Sequence, residues 1–152
     1  MSQTFLPYED YAVSAGVLDR LRLGKQRVEN LTIMRSLCGV TATGQNHPIA
    51  LAWRTYEPAL MEYQMAICAE WTSRGYRDTC LEKTWSAYYH GLASADHEML
   101  MFERPPWIGQ PEFHEGYRAH LIRKDPEFYG PIFLDHTNPN AQLVWPGLKV
   151  SA

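Results

Sequence analysis

From Val17 to Leu37 the chain carries no proline and is dominated by residues that favour the α-helix. A segment of this length predicts one long helix, and no run of alternating apolar and polar residues competes with it in this half of the chain. Leu21, Val28, Leu31 and Thr32 recur at spacings of three, four and seven and mark an apolar face. Arg22, Gln26 and Glu29, with Lys25 and Asn30 beside them, mark a polar ledge on another stripe. Gly24 weakens such a helix by about 1 kcal/mol relative to Ala unless it admits a close neighbour, which protein or nucleic acid could equally supply.

The rest of the chain reads in the same way. "GVTATGQNHP" is a loop in which Asn46 or His47 caps a short helix from Pro48 to Tyr56. Pro58 starts a second long helix that ends at Arg74, before Gly75, and buries Leu60, Tyr63, Ile67 and Trp71, with Met61, Met65 and Cys68 widening that side. A third helical region runs from about Cys80 to Met101 and breaks near Gly91, and "RPPWIGQP" is a surface connector. A last helix from Glu112 to Lys124 carries Arg118, His120, Arg123 and Lys124, and an irregular Pro/aromatic-rich tail follows, anchored by Trp145. The expectation is a mainly α fold: residues 1–152 as a single compact helical domain with three main helices.

Charge narrows the function. The formal net charge of −3 excludes a generally basic protein, so a polyanionic partner must be met by a local patch. Between Leu18 and Arg35 the bases Arg20, Arg22, Lys25, Arg27 and Arg35 face only Asp19 and Glu29, a local charge of +3. Cys38, Cys68 and Cys80 are odd in number and lack a C-x-x-C, which argues for reduced thiols and a cytoplasmic chain rather than a disulfide scaffold. The beginning "MSQTFLPYEDY" has no basic or apolar leader character, and loss of Met1 before the small Ser2 is expected.

Individual residues leave alternatives open. The basic ledge is either a solvated helix face or a phosphate-binding surface. His47 is a cap or a group held near a reacting atom, and Phe128 and Tyr129 either complete the core or stack on bases. His90, His97, His114, His120 and His136 lack zinc spacing, so neither metal nor cofactor is expected. Glu29 stands among cations, where a carboxylate stays ionised and can work as a base, or simply pair with Lys25 or Arg22.

With these residues laid out, the chain resembles the pyrimidine-dimer DNA glycosylase family, the phage endonuclease V type and its bacterial relatives. "LDR" at Leu18 to Arg20, followed by Glu29 and "NL", is similar to the family's first long helix with its catalytic glutamate. "NHP" at Asn46 to Pro48 resembles its histidine-bearing turn, and "EYQMAICAEWTSRGY" its central helix with the glycine stop. "YRAHLIRK" and "PEFYG" resemble its last helix and aromatic exit.

The resemblance implies catalysis by the α-amine of Ser2 with Glu29 as acid/base, and β-elimination after an imine forms at the sugar C1′. It also implies contacts to double-stranded DNA from Gln3, Gln26, His47, Arg118, His120, Arg123, Lys124 and Tyr129. Where the family has arginines this chain has Gln3, Val28 and Thr32, which shifts phosphate binding to Arg20, Arg22, Lys25 and Arg27. The expected protein is a monomeric, nucleoid-associated DNA glycosylase with AP-lyase activity on a damaged or modified pyrimidine. The alternatives are a base-modifying enzyme on the same scaffold and a non-catalytic helical DNA-binding module.

Overall fold

A computed structural model describes residues 3–44 and 46–144. Ser2 and Trp145 lie outside the described residues. The expected mainly α architecture is observed: seven α-helices and a short 3-10 turn, with no strand among the described residues. The helices are α1 (Tyr11–Val17), α2 (Arg20–Leu37), α3 (Pro48–Trp53), α4 (Glu57–Ser73), α5 (Cys80–Ser94), α6 (Pro111–Lys124) and α7 (Pro126–Phe133), with the turn at Leu134–His136.

The first long helix starts three residues later than expected, because Asp19 caps it through a bond from the Arg22 N–H and Leu18 closes α1. The sequence pattern did not show α1, whose own cap is Asp10. α3 and α4 fall where the prolines put them, and Gly75, at φ +93°, ends the α4 segment in the left-handed conformation that glycine adopts without strain.

Three expectations are overturned. α5 runs unbroken through Gly91 and stops at Ser94. The reason for the glycine is contact: a Cβ there would lie 2.4 Å from Cys38 Sγ, at the end of α2. The segment directly after Lys124 is not irregular, since Asp125 caps α7 through the Phe128 N–H and the aromatic run packs as a helix; the irregular tail begins only at Thr137. Finally, α2 is rotated relative to its expected phase. Leu21, Val28 and Thr32 face water, whereas Leu23, Gln26, Asn30, Met34 and Leu37 are buried.

Polar residues can occupy the buried side of α2 because they satisfy one another. Gln26 donates to Asn30 Oδ1 (2.8 Å), Asn30 to Gln64 Oε1 (3.1 Å), and Gln64 to Thr84 Oγ1 (3.0 Å), so one chain of amides ties α2 to α4 and α5. Around it lies the main apolar cluster, built on Trp53, Tyr63, Met34, Ile67, Tyr117 and Phe133. The three cysteines are buried and free. Gly24 admits protein rather than nucleic acid: a Cβ there would lie 3.0 Å from the Trp71 ring. No helix among the described residues is long and apolar enough to cross a membrane.

A candidate active-site cleft beside the amino-terminal segment

Residues 3–7 belong to no helix or sheet, so their backbone groups need other partners. Side chains of three helices provide them, and a fourth helix bonds a side chain of the segment. Gln26 of α2 accepts from the Phe5 N–H (2.8 Å) and donates to the Gln3 carbonyl (2.8 Å). Tyr63 of α4 donates to the Phe5 carbonyl (2.6 Å). From α6, Tyr117 Oη accepts from the Thr4 N–H (3.2 Å), while His114 donates to the Leu6 carbonyl and Arg118 to the Pro7 carbonyl, both at 2.8 Å. Trp53 of α3 donates to the Thr4 hydroxyl (3.2 Å). The segment is strapped across the bundle at nearly every residue.

At the end of this strap the Gln3 N–H donates to Glu29 Oε2 at 2.9 Å. The Glu29 side chain is only 12% exposed, and Lys25 Nζ stands 3.8 Å from Oε1. Burial raises the Glu29 carboxyl above the ordinary glutamate value, against the lowering effect of the Gln3 N–H and of Lys25. Contrary to the expectation from sequence, loss of water outweighs the cations around it.

Next to Gln3 opens a cleft of about 560 Å³, lined by Gln3, Phe5, Leu21, Arg22, Lys25, His120, Lys124 and Leu143. Its walls come from α2, α6 and the chain that follows the last turn. Arg22 is held by Asp19 at 3.1 Å, and that carboxylate is itself bonded to the Tyr129 hydroxyl. His120 stacks on Phe5, and burial, helped by Lys124, Arg123 and Arg22, lowers its imidazole to about 4. It enters neutral-pH chemistry as an uncharged ring. The rim of the cleft is thus mixed, cationic at Arg22, Lys25 and Lys124 and apolar at Phe5, Leu21 and Leu143.

Of the residues expected from sequence, the structure gathers Gln3, Arg22, Lys25, His120 and Lys124 in this cleft, with Glu29 behind Gln3. Others have structural partners instead. Gln26 is fully buried in the strap network rather than on a ledge. Arg27 points to the other side of α2, paired with Asp78 at 2.6 Å and lying over Trp71. Tyr129 is fully buried, donating to Asp19 Oδ1 and accepting from the Asp19 N–H at 2.9 Å, so it positions the start of α2 rather than stacking on bases. Arg20 lies over Tyr76, Arg118 bonds Pro7 and Thr137, and His47 caps α3 through the Ile49 N–H. Arg123 donates to the carbonyls of Pro139 and Ala141, both at 3.0 Å.

Phe5, Leu21 and Leu143 were not foreseen. Leu143 arrives because the chain crosses α6 at Gly116, where a Cβ would meet the Gln142 carbonyl at 2.6 Å. That glycine in the middle of a helix was the available signal. Among the described residues no group of three or more His, Cys, Asp or Glu side chains is arranged to hold a metal ion.

A family model described as pyrimidine dimer DNA glycosylase matches residues 3–84, more than half of the chain. The match takes in the strap, α2 with Glu29, the His47 turn and α4. No curated protein and no solved structure matches.

Proposed function

The chain belongs to the pyrimidine dimer DNA glycosylase family, and from that premise we propose that it excises a damaged pyrimidine from duplex DNA by amine catalysis, then cleaves the strand as an AP lyase. The α-amine of Ser2, freed by loss of Met1, attacks C1′ of the nucleotide. The C1′–N bond breaks, the base departs with its electron pair and takes up a proton, and the sugar ring opens to an imine as the amine loses its protons. Removal of a proton from C2′ then expels the 3′ phosphate, and water releases the enzyme. An α-amine suits the task because its ordinary pKa, about 7.7 to 8.0, leaves it partly neutral and nucleophilic at cellular pH.

The single observation that carries this reading is the bond between the Gln3 N–H and Glu29. An α-amine on residue 2 is three covalent bonds from that nitrogen, at most ~4.3 Å of contour. Any such amine therefore stays close to the Glu29 carboxylate. A carboxyl raised by burial, as Glu29 is, suits a group that both gives and takes a proton better than an ordinary exposed glutamate would. The rim formed by Arg22, Lys25 and Lys124 supplies cations for the phosphates on either side of the sugar.

Borohydride reduction tests the proposal. Incubated with ultraviolet-irradiated or abasic duplexes, the Met1-processed protein should form a stable adduct that peptide mapping assigns to its first residue. A protein whose amino terminus is acetylated should bind the same duplexes and form none. Full-rate strand cleavage by the acetylated protein would overturn the amine mechanism.

A further inference from the structure

Along α2 the residues that face outward recur at Leu21, Lys25, Val28, Thr32 and Arg35, one stripe of the helix with no carboxylate in it. Its first two members line the catalytic cleft. Its last member opens onto a separate groove of about 340 Å³, formed with Lys83, Ser86 and His90 of α5 and the turn at Gly39 and Val40. Lys83, Ser86 and His90 share one face of α5 at spacings of three and four, and all three are exposed.

The charge of this groove is uncompensated. Arg22, Lys25, Arg27, Arg54 and Arg74 each reach a carboxylate within 3.8 Å. Arg35 and Lys83 form no ion pair with any described residue, and no carboxylate lines the groove. Two like charges facing one polar depression repel each other, and an anion seated between them removes that repulsion.

Spacing identifies the anion. Ten residues separate Lys25 from Arg35, which is about 15 Å along the helix. That equals roughly four to five steps of 3.4 Å along a DNA strand. A duplex lying along the outer stripe of α2, with one phosphate at the cleft, brings another to the second groove. We propose that the groove formed by Arg35, Lys83 and His90 is a second phosphate-binding site, which grips the duplex backbone about four to five base pairs from the reacting nucleotide. The proposal rests on the DNA-acting reading given above and extends its footprint to a surface remote from the chemistry.

Salt titrations with the full-length protein test it. Two hairpin-closed duplexes with a central ultraviolet pyrimidine dimer are compared, one with about three base pairs on each side and one with about twelve, chosen around the ~15 Å span. Converting Arg35 and Lys83 together to alanine should weaken binding to the long duplex several-fold and reduce its log–log salt slope by about 0.9, the value for one lost phosphate contact. Binding and excision on the short duplex should not change. The charge-conserving Arg35→Lys, Lys83→Arg protein should keep the wild-type slope, which separates charge from folding effects. Equal slopes for the alanine and wild-type proteins on the long duplex, with excision intact, would overturn the second site alone. Absence of wild-type binding to either duplex would overturn it together with the reading on which it rests.

Discussion

The main-chain N–H of Gln3 donates to the Glu29 carboxylate at 2.9 Å across 26 positions of sequence. That nitrogen belongs to the peptide bond joining residues 2 and 3, so the bond ties the start of the described segment to the Glu29 carboxylate behind the cleft. Neither partner could do this alone. The strap of side chains over residues 3–7 sets the position of Gln3, and the rotated phase of α2 turns Glu29 inward.

Gln26 separates the buried-strap description from a ledge that touches DNA. Gln26→Leu keeps the volume but leaves the Phe5 N–H, the Gln3 carbonyl and Asn30 Oδ1 without their partner. Urea unfolding should show a loss of about 2–4 kcal/mol, the cost of orphaning buried polar groups. Turnover per folded molecule should fall as well, because the strap loosens. Unchanged stability with weakened DNA binding would return Gln26 to the surface role.

Acid stability reports on Arg27. Burial works to raise the Asp78 carboxyl, but bonds from the Leu81 N–H, Arg27 and the Cys80 N–H together hold it below its ordinary value. A folded-state value below the unfolded one stabilises the protein above the ordinary carboxylate pKa, and this stabilisation is lost as pH falls through the folded value. Thermal melts of wild type should therefore drop more steeply on acidification than those of Asp78→Asn. Arg27→Ala should flatten the acid limb in the same way while leaving the salt dependence of DNA binding unchanged.

What sequence could reveal follows from what each signal measures. Prolines and caps act locally, so Asp125, His47 with Pro48, and Gly75 mark real helix ends. Helix phase depends on what lies opposite, and α2 defeated the apolar pattern. Its buried face is half amide, satisfied by Gln64, Thr84 and the strap, residues 20 to 60 positions away or brought from another end of the chain. Glu29 stood out because a lone acid among bases is visible locally. Its partner Gln3 and the apolar wall of Phe5, Leu21 and Leu143 were not, since each reaches the cleft only through tertiary packing.

Gly91 offers a packing test independent of function. In a helix interior Ala is favoured over Gly by about 1 kcal/mol, yet a Cβ here would sit 2.4 Å from Cys38 Sγ and 2.7 Å from its Cβ. Overpacking should win, and Gly91→Ala should lower stability by about 1–3 kcal/mol. Adding Cys38→Ala removes the sulfur at 2.4 Å but leaves the Cys38 Cβ at 2.7 Å, so a double-mutant cycle should recover only part of the loss.

Glu29→Gln should move stability and activity in different directions. The amide keeps an oxygen for the Gln3 N–H and removes a buried carboxyl whose raised value shows that the folded protein resists its ionisation. The sign follows from that direction: a group raised on folding stabilises most below its unfolded pKa, and the advantage fades as pH rises through the folded value. Above the folded value the wild type has lost that advantage, so there the variant should melt at the same temperature or higher. Turnover should nevertheless fall about 10² to 10⁴-fold, the range for loss of a general acid–base group. Borohydride should still trap some adduct, because amine attack does not require the carboxylate. In the wild type the β-elimination step needs Glu29 ionised, so single-turnover rates should decline on acidification at a pH above the usual carboxylate range. A variant with wild-type turnover, or a pH profile that Glu29→Gln leaves unaltered, would assign proton transfer to another group.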